Sequence, residues 1–203
     1  MDVRTEKAFT TLKQLARANG GYLRTADAAA HGVNRPMLAR FVVENEFERV
    51  ARGIYMGPEA WPDDYYVLQL RYPKLIFSHL SALRLHGLTD YLPRQAQVTL
   101  WTGCNPSLLS ANGVKVYTVK HELHELGLTT MQTYFGNTIR VYDMERTVCD
   151  VLRSRNKIET QAFYQSMKSY SQLPGKDWPK LVGYARSFEL ERILTHYMEV
   201  LMA

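Results

Sequence analysis

Val33-Asn34-Arg35-Pro36-Met37-Leu38-Ala39-Arg40-Phe41-Val42, then Phe47-Glu48-Arg49-Val50-Ala51-Arg52-Gly53-Ile54-Tyr55-Met56, is the stretch whose reading decides the fold. Pro36 suits a first helical turn, where its missing N–H costs nothing. Leu38, Phe41 and Val42 give the helix that follows, running to about Asn45, an apolar inner face. The second run breaks at Ala51-Arg52-Gly53, where Gly53 can take a positive φ, and predicts two short strands around a tight turn.

Working outward, Thr5 to Asn19 places Phe9, Leu12, Leu15 and Ala16 on one helical face, with Lys7, Lys13 and Arg17 elsewhere, and Gly20-Gly21 closes the segment. Thr25 is expected to cap a short alanine-rich helix through His31 that stops at Gly32. Three helices followed by a hairpin is the order of a winged helix-turn-helix. Gly57-Pro58 and Trp61-Pro62-Asp63-Asp64 break regular structure, so the domains are expected at residues 1–58 and 64–203. The second is expected to mix a sheet with helices. Helices are predicted over about 64–71, 78–86 and 144–153, the last capped by Asp143, and strand-like runs over 97–101, 114–119, 129–135 and 138–142. The remainder from Ile158 reads as helical with a break at Leu173-Pro174-Gly175-Lys176. The fold class is therefore α+β: a winged helix-turn-helix followed by a larger mixed α/β domain.

The hydrophobic share of 46% and charged share of 22% are those of ordinary globular proteins. No stretch nears the roughly 20 consecutive apolar residues of a membrane span. Met1 to Arg17 lacks the apolar run and cleavage site of a signal peptide, which predicts a cytoplasmic protein. Cys104 and Cys149 form neither a disulfide framework nor a CxxC zinc motif and are expected to be reduced thiols. A net charge of +5 and a pI near 9.2 permit a polyanionic partner without requiring one.

The distribution of that charge is more telling. DNA recognition needs polar side chains at the leading end of a helix narrow enough for the major groove, with cations to meet phosphates on either side. Asn34, Arg35, Met37 and Arg40 lie on or near the face of the third helix opposite Leu38 and Phe41, and are the candidates for the groove. Arg49 and Arg52 at the hairpin, and Arg24 and Thr25 at the opening of the second helix, are the candidates for phosphates. A winged helix can also serve as a protein-interaction module, and salt dependence separates the two.

Catalytic motifs are weak. His121-Glu122-Leu123-His124-Glu125 has its histidines at i and i+3 instead of the i and i+4 of zinc proteases, and reads better as a solvated polar turn. Ser78, His79 and His86 lack the G-x-S-x-G elbow of a hydrolase. Gly103-Cys104-Asn105-Pro106 matches neither a Walker nor a Rossmann loop. Asp143, Glu145 and Asp150 form an acidic cluster of the sort that nucleases use for divalent metal, but no Glu-x-Lys follows. Glu145-Arg146 are expected to pair on the surface or across to Arg140. Neither a cofactor, a metal nor an enzymatic activity is expected.

Glu48-Arg49-Val50-Ala51-Arg52-Gly53-Ile54-Tyr55 resembles the wing of AbiEi-type antitoxins, the repressors of type IV toxin-antitoxin operons that act in abortive infection and phage defence. Tyr72 to Leu83 with His86-Gly87-Leu88-Thr89-Asp90 and Pro93 is similar to the opening of that family's C-terminal domain. Gly136-Asn137, Ile139 to Asp143 and Glu145 to Asp150 resemble its second signature, and Tyr197-Met198-Glu199-Val200-Leu201 its ending. The resemblance implies a cytoplasmic, non-enzymatic antitoxin that represses its own promoter at inverted repeats. Its C-terminal domain would counter an AbiEii-type nucleotidyltransferase toxin, with or without direct contact. It also implies that Arg35, Arg40, Arg49 and Arg52 face DNA and that Ser78, His79, His86, Arg140, Asp143, Glu145, Arg146 and Asp150 mark the antitoxin half. Those eight residues are equally the kind that fix caps and buried pairs. The alternatives are a winged-helix regulator without a toxin partner and a metal-dependent nuclease.

Overall fold

The computed structural model describes residues 3–202, except for the side chains of 198 and 200–202, so most of the Tyr197–Leu201 motif lies outside the described side chains. The chain forms two compact units, residues 1–73 with 132–139, and residues 74–131 with 140–203.

The first unit runs α1 (Val3–Ala18), β1 (Tyr22–Arg24), α2 (Thr25–Ala30), α3 (Arg35–Glu44), β2 (Glu48–Ala51), β3 (Ile54–Met56) and α4 (Asp64–Arg71). The expected spacing of apolar residues holds: Phe9, Leu12 and Ala16 of α1 meet Leu23, Ala28, Leu38 and Phe41 in one core, with the Phe9 and Phe41 rings edge to face at 5.0 Å. The three strands make an antiparallel sheet in the order β1-β3-β2, and Gly53 turns β2 into β3 at φ +74. β1 is unheralded in the sequence, because three residues carry no period. Its two buried residues, Tyr22 and Leu23, pair opposite Met56 and Tyr55.

Thr25 does not cap α2, contrary to expectation. The helix begins at Thr25 itself, and the N-cap position is Arg24, which makes no side-chain capping bond. The Thr25 N–H instead donates to the Gly53 carbonyl at 2.8 Å, so the hairpin turn satisfies an end of helix that a hydroxyl was expected to satisfy.

α4 packs on β2 and β3 and lies in the first compact unit, past the expected domain boundary at 58–64. Asp63 starts it, accepting from the Tyr66 N–H at 3.0 Å. The same buried carboxylate accepts from Asn137 Nδ2 at 2.8 Å and from the Thr133 hydroxyl, which is how residues 132–139 join this unit.

The second unit holds β4 (Ile76–Phe77), α5 (His79–Leu85), β5 (Gln97–Trp101), α6 (Ser107–Ala111), β6 (Lys115–Val119), most of β7 (Leu128–Gln132) and of β8 (Thr138–Tyr142), α7 (Met144–Arg153), α8 (Thr160–Gln172), α9 (Trp178–Ser187) and α10 (Glu191–Met202). Its mixed five-stranded sheet has the order β6-β5-β4-β8-β7, with β4 antiparallel to β5 while β5–β6 and β4–β8 are parallel. Leu80, Leu83, Val148, Leu152, Phe163, Met167, Tyr170 and Leu181 form the helical core. α7 is buried from Glu145 to Leu152 and packs against α5, α8 and α9. The class is α+β.

Candidate nucleic-acid interface

α2, α3, the β2–β3 turn and the end of α4 enclose an open cleft of about 770 Å³. Five arginines line it: Arg24 and Arg35 at the starts of α2 and α3, Arg49 and Arg52 on the hairpin, and Arg71 at the end of α4. Thr25, Ala39, Gly53 and Pro73 complete much of the wall. Arg35, Arg49 and Arg52 are exposed, and among the described residues none of the three is held by a carboxylate. Arg49 reaches only the Ala51 carbonyl, at 3.4 Å. Three uncompensated guanidinium groups around one concavity make a site of strongly positive potential.

The other two are tied down. Arg24 grips Asp27 with both Nε and Nη2, at 2.7 and 2.6 Å, and that bond raises the pKa of its guanidinium. A third bond, from Nη1 to the Leu70 carbonyl at 3.4 Å, joins it to α4. Arg71 stands over the ring of Tyr72 at 5.2 Å. Sequence reading missed Arg71 because α4 was expected in the other domain.

Of the groove candidates, only Arg35 faces this cleft. Asn34 caps α3, its Oδ1 accepting from the Met37 N–H at 2.9 Å. Asn34 and half-buried Met37 line a smaller cleft of about 250 Å³ with Arg4, Lys7 and His31. Arg40 lies back along α3, its Nε on Glu44 at 2.6 Å and its guanidinium 5.9 Å from the Phe9 ring centre. The structure thus brings Arg24, Thr25, Arg35, Arg49 and Arg52 together and turns Asn34, Met37 and Arg40 elsewhere.

The expected signature residues of the second half are mostly internal. Ser78 and His79 are fully buried where β4 turns into α5, and His79 holds φ +50, a strained value for a residue other than glycine. Its imidazole stacks on Tyr117 at 3.4 Å and bonds Ser78 Oγ at 2.9 Å and Ser154 Oγ at 3.0 Å. Burial drives its pKa well below the usual histidine value, helped by Arg153 and Arg146, and pushes the Tyr117 phenol up to about 12. His86, at the end of α5, bonds the Tyr142 carbonyl at 2.7 Å, and burial lowers its pKa as well.

Arg146 has no exposed surface, so the surface pairing of Glu145-Arg146 is not what forms. The Arg146 guanidinium is sandwiched 4.0 Å from the Tyr142 ring and 4.4 Å from the Phe188 ring. It donates to Asp150 at 3.2 Å and to the Leu123 and Leu126 carbonyls. Asp143 caps α7 and takes Lys180 and the Tyr184 hydroxyl at 2.9 Å each. Glu145, also buried, takes Tyr170 at 3.3 Å and lies 3.7 Å from Lys180. Asp150 is fully buried, which pushes its carboxyl up against the opposing pull of Arg146 and Arg153. Arg140 reaches Glu125 at 3.0 Å. The three carboxylates of the cluster therefore neutralise cations of their own unit, and no group of histidine, cysteine or carboxylate side chains suited to a metal occurs among the described residues.

The His121–Glu125 segment is only half the solvated turn expected. His121 is exposed, but His124 is buried, bonding the Thr99 carbonyl at 3.3 Å with its ring edge-on to Trp101. Cys149 is buried too, and burial lifts its thiol to about 12. Among the described residues, no helix is long and apolar enough to cross a membrane.

Geometry and charge define a two-unit α+β protein whose first unit presents a basic cleft between a helix pair and a hairpin. Residues 11–56 match the family model described as transcriptional regulator, AbiEi antitoxin, so the AbiEi resemblance holds from the second half of α1 through β3. No curated protein matches the chain. Among solved structures, the RV2827C protein from Mycobacterium tuberculosis is similar with a TM-score of 0.52 over 96% of this chain and 80% of that one, at 13% identity. A likeness at that identity speaks for the fold alone.

Proposed function

We propose that this chain is a cytoplasmic, non-enzymatic repressor and antitoxin of the AbiEi type. In this reading the first unit is a winged helix-turn-helix that binds inverted repeats in its own promoter, and the second counters a nucleotidyltransferase toxin. The observation that carries the DNA half is the cleft: arginines from four separate elements converge on the surface that the third helix and the hairpin share. The order α1-β1-α2-α3-β2-β3, with the sheet β1-β3-β2, supports the winged-helix assignment. The toxin half is supported by the family match alone, whose description names an antitoxin although the matched residues lie in the first unit.

Titration of the full chain against its own upstream DNA, with a scrambled duplex as control, tests the DNA half. Specific binding that weakens steeply between 50 and 200 mM salt is the expected result, because each phosphate contact releases counterions. Binding that ignores salt, or that treats both duplexes alike, overturns it. Co-expression with the neighbouring gene tests the antitoxin half: growth arrest relieved by this chain is expected, and a harmless neighbour would leave a regulator without a toxin partner.

A further inference from the structure

α3 turns one stripe outward: Arg35, Ala39 and Val43, spaced four apart along the helix and all exposed. Arg35 and Ala39 line the arginine cleft, and Val43, one turn further on, is 78% exposed. The fold does not explain this valine. It is a poorer helix former than alanine or lysine, and at that exposure it gains nothing from burial. The longer polar side chains beside the stripe are occupied, Arg40 with Glu44 and Asn34 with the helix end. What remains at the centre of the face is short and apolar, so the helix backbone can approach closely whatever it meets.

The charge around the stripe names that occupant. Arg35, Arg49 and Arg52 have no carboxylate partner among the described residues, which suits a polyanion, and a duplex offers phosphates on either side of a groove with base edges between. The one apolar group on the base edges of the major groove is the C5-methyl of thymine, and alanine and threonine methyls are among its usual contacts.

We propose that Ala39 and Val43 read thymine methyl groups in the major groove while Arg35, at the leading end of the same stripe, donates to guanine. The proposal rests on the reading of the cleft as a duplex-DNA interface, and it adds the part of the operator that the stripe selects. From Arg35 to Val43 the helix advances about 12 Å at 1.5 Å per residue, or roughly three to four base-pair steps of 3.4 Å. Each half-site should therefore hold thymines within about four base pairs of a guanine.

The test is a binding titration of the full chain and of Val43→Ala against the upstream duplex, prepared once with thymine and once with uracil in every thymine position. Uracil lacks only the methyl group. The wild-type chain is expected to bind the uracil duplex about fourfold more weakly for each methyl group that the helix would have covered. Val43→Ala should weaken by about as much on thymine DNA and by little more on uracil DNA, because the two changes remove the same interaction. Val43 is exposed and alanine favours a helix, so the variant should fold; its melting curve checks that. Equal wild-type affinity for the two duplexes, or penalties that simply add, would overturn the proposal while leaving the DNA interface standing. No binding to either duplex would overturn both.

Discussion

At the scale of single residues, the arginines of the first unit divide by what already holds them. Arg24 is bidentate on Asp27, and its loss would leave a half-buried carboxylate unpaired, so Arg24→Ala should lower stability as well as affinity. Arg49 and Arg52 hold nothing comparable. Arg49→Ala and Arg52→Ala should each flatten the logarithmic salt slope by about one unit and weaken binding evenly across sequences. A slope left at the wild-type value would remove the arginine concerned from the interface. His79 makes the corresponding prediction for the second unit. It is neutral in the fold but gains a proton in the unfolded chain below its usual value of 6.5. The unfolded state then binds more protons, so the contribution of His79 is complete above that pH and drains away as pH falls below it. His79→Asn, which removes the titration and tolerates the positive φ, should flatten the fall in stability by up to about 1.4 kcal/mol per pH unit in denaturant unfolding between pH 7 and 5. Asp150 contributes alike in both chains and cancels from the comparison. An undiminished slope in the variant would mean that His79 is not the group that titrates.

At the scale of elements, α7 shows how a motif that suggests chemistry can be architecture. Its acidic residues each meet a cation or a phenol, and Arg146 fills the space between Tyr142 and Phe188. Gly127 makes room for the stem of that arginine: it sits at φ +77, and a Cβ there would come within 2.5 Å of the Arg146 Cβ. Arg146→Ala should cost about 3–5 kcal/mol in urea unfolding, since it leaves buried Asp150 with only the more distant Arg153 as a cationic partner. A loss below about 1 kcal/mol, the scale of a surface pair, would contradict the buried geometry. The sequence shows α7 clearly through its period and its Asp143 cap, which is local information. That its charged face points inward is not local; it depends on α9 supplying Lys180 and Tyr184, and the loop before β7 supplying carbonyls. β1 and α6 were invisible for a simpler reason, being three and five residues long.

At the scale of the whole molecule, the first unit is discontinuous in sequence. Asp63 binds Thr133 and Asn137 across some seventy residues, and Tyr22 donates to the Trp61 carbonyl while meeting Tyr66 edge to face at 5.2 Å. A fragment ending at residue 58 would lack α4, Arg71 and Asp63, whereas one ending at 73 would hold all of the first unit except residues 132–139. The longer fragment should bind DNA with nearly the full salt slope and melt above the shorter one, and equal melting temperatures would show that α4 adds nothing to the unit. The amino-acid sequence by itself determined the helices with a clear 3.6-residue period, the hairpin around Gly53, the α+β class and the family resemblance, all of which rest on neighbours in the chain. Only the tertiary structure decided where α4 belongs, which arginines share a cleft and which acids are already paired. Those outcomes depend on side chains meeting across long stretches of chain, and no local period encodes them.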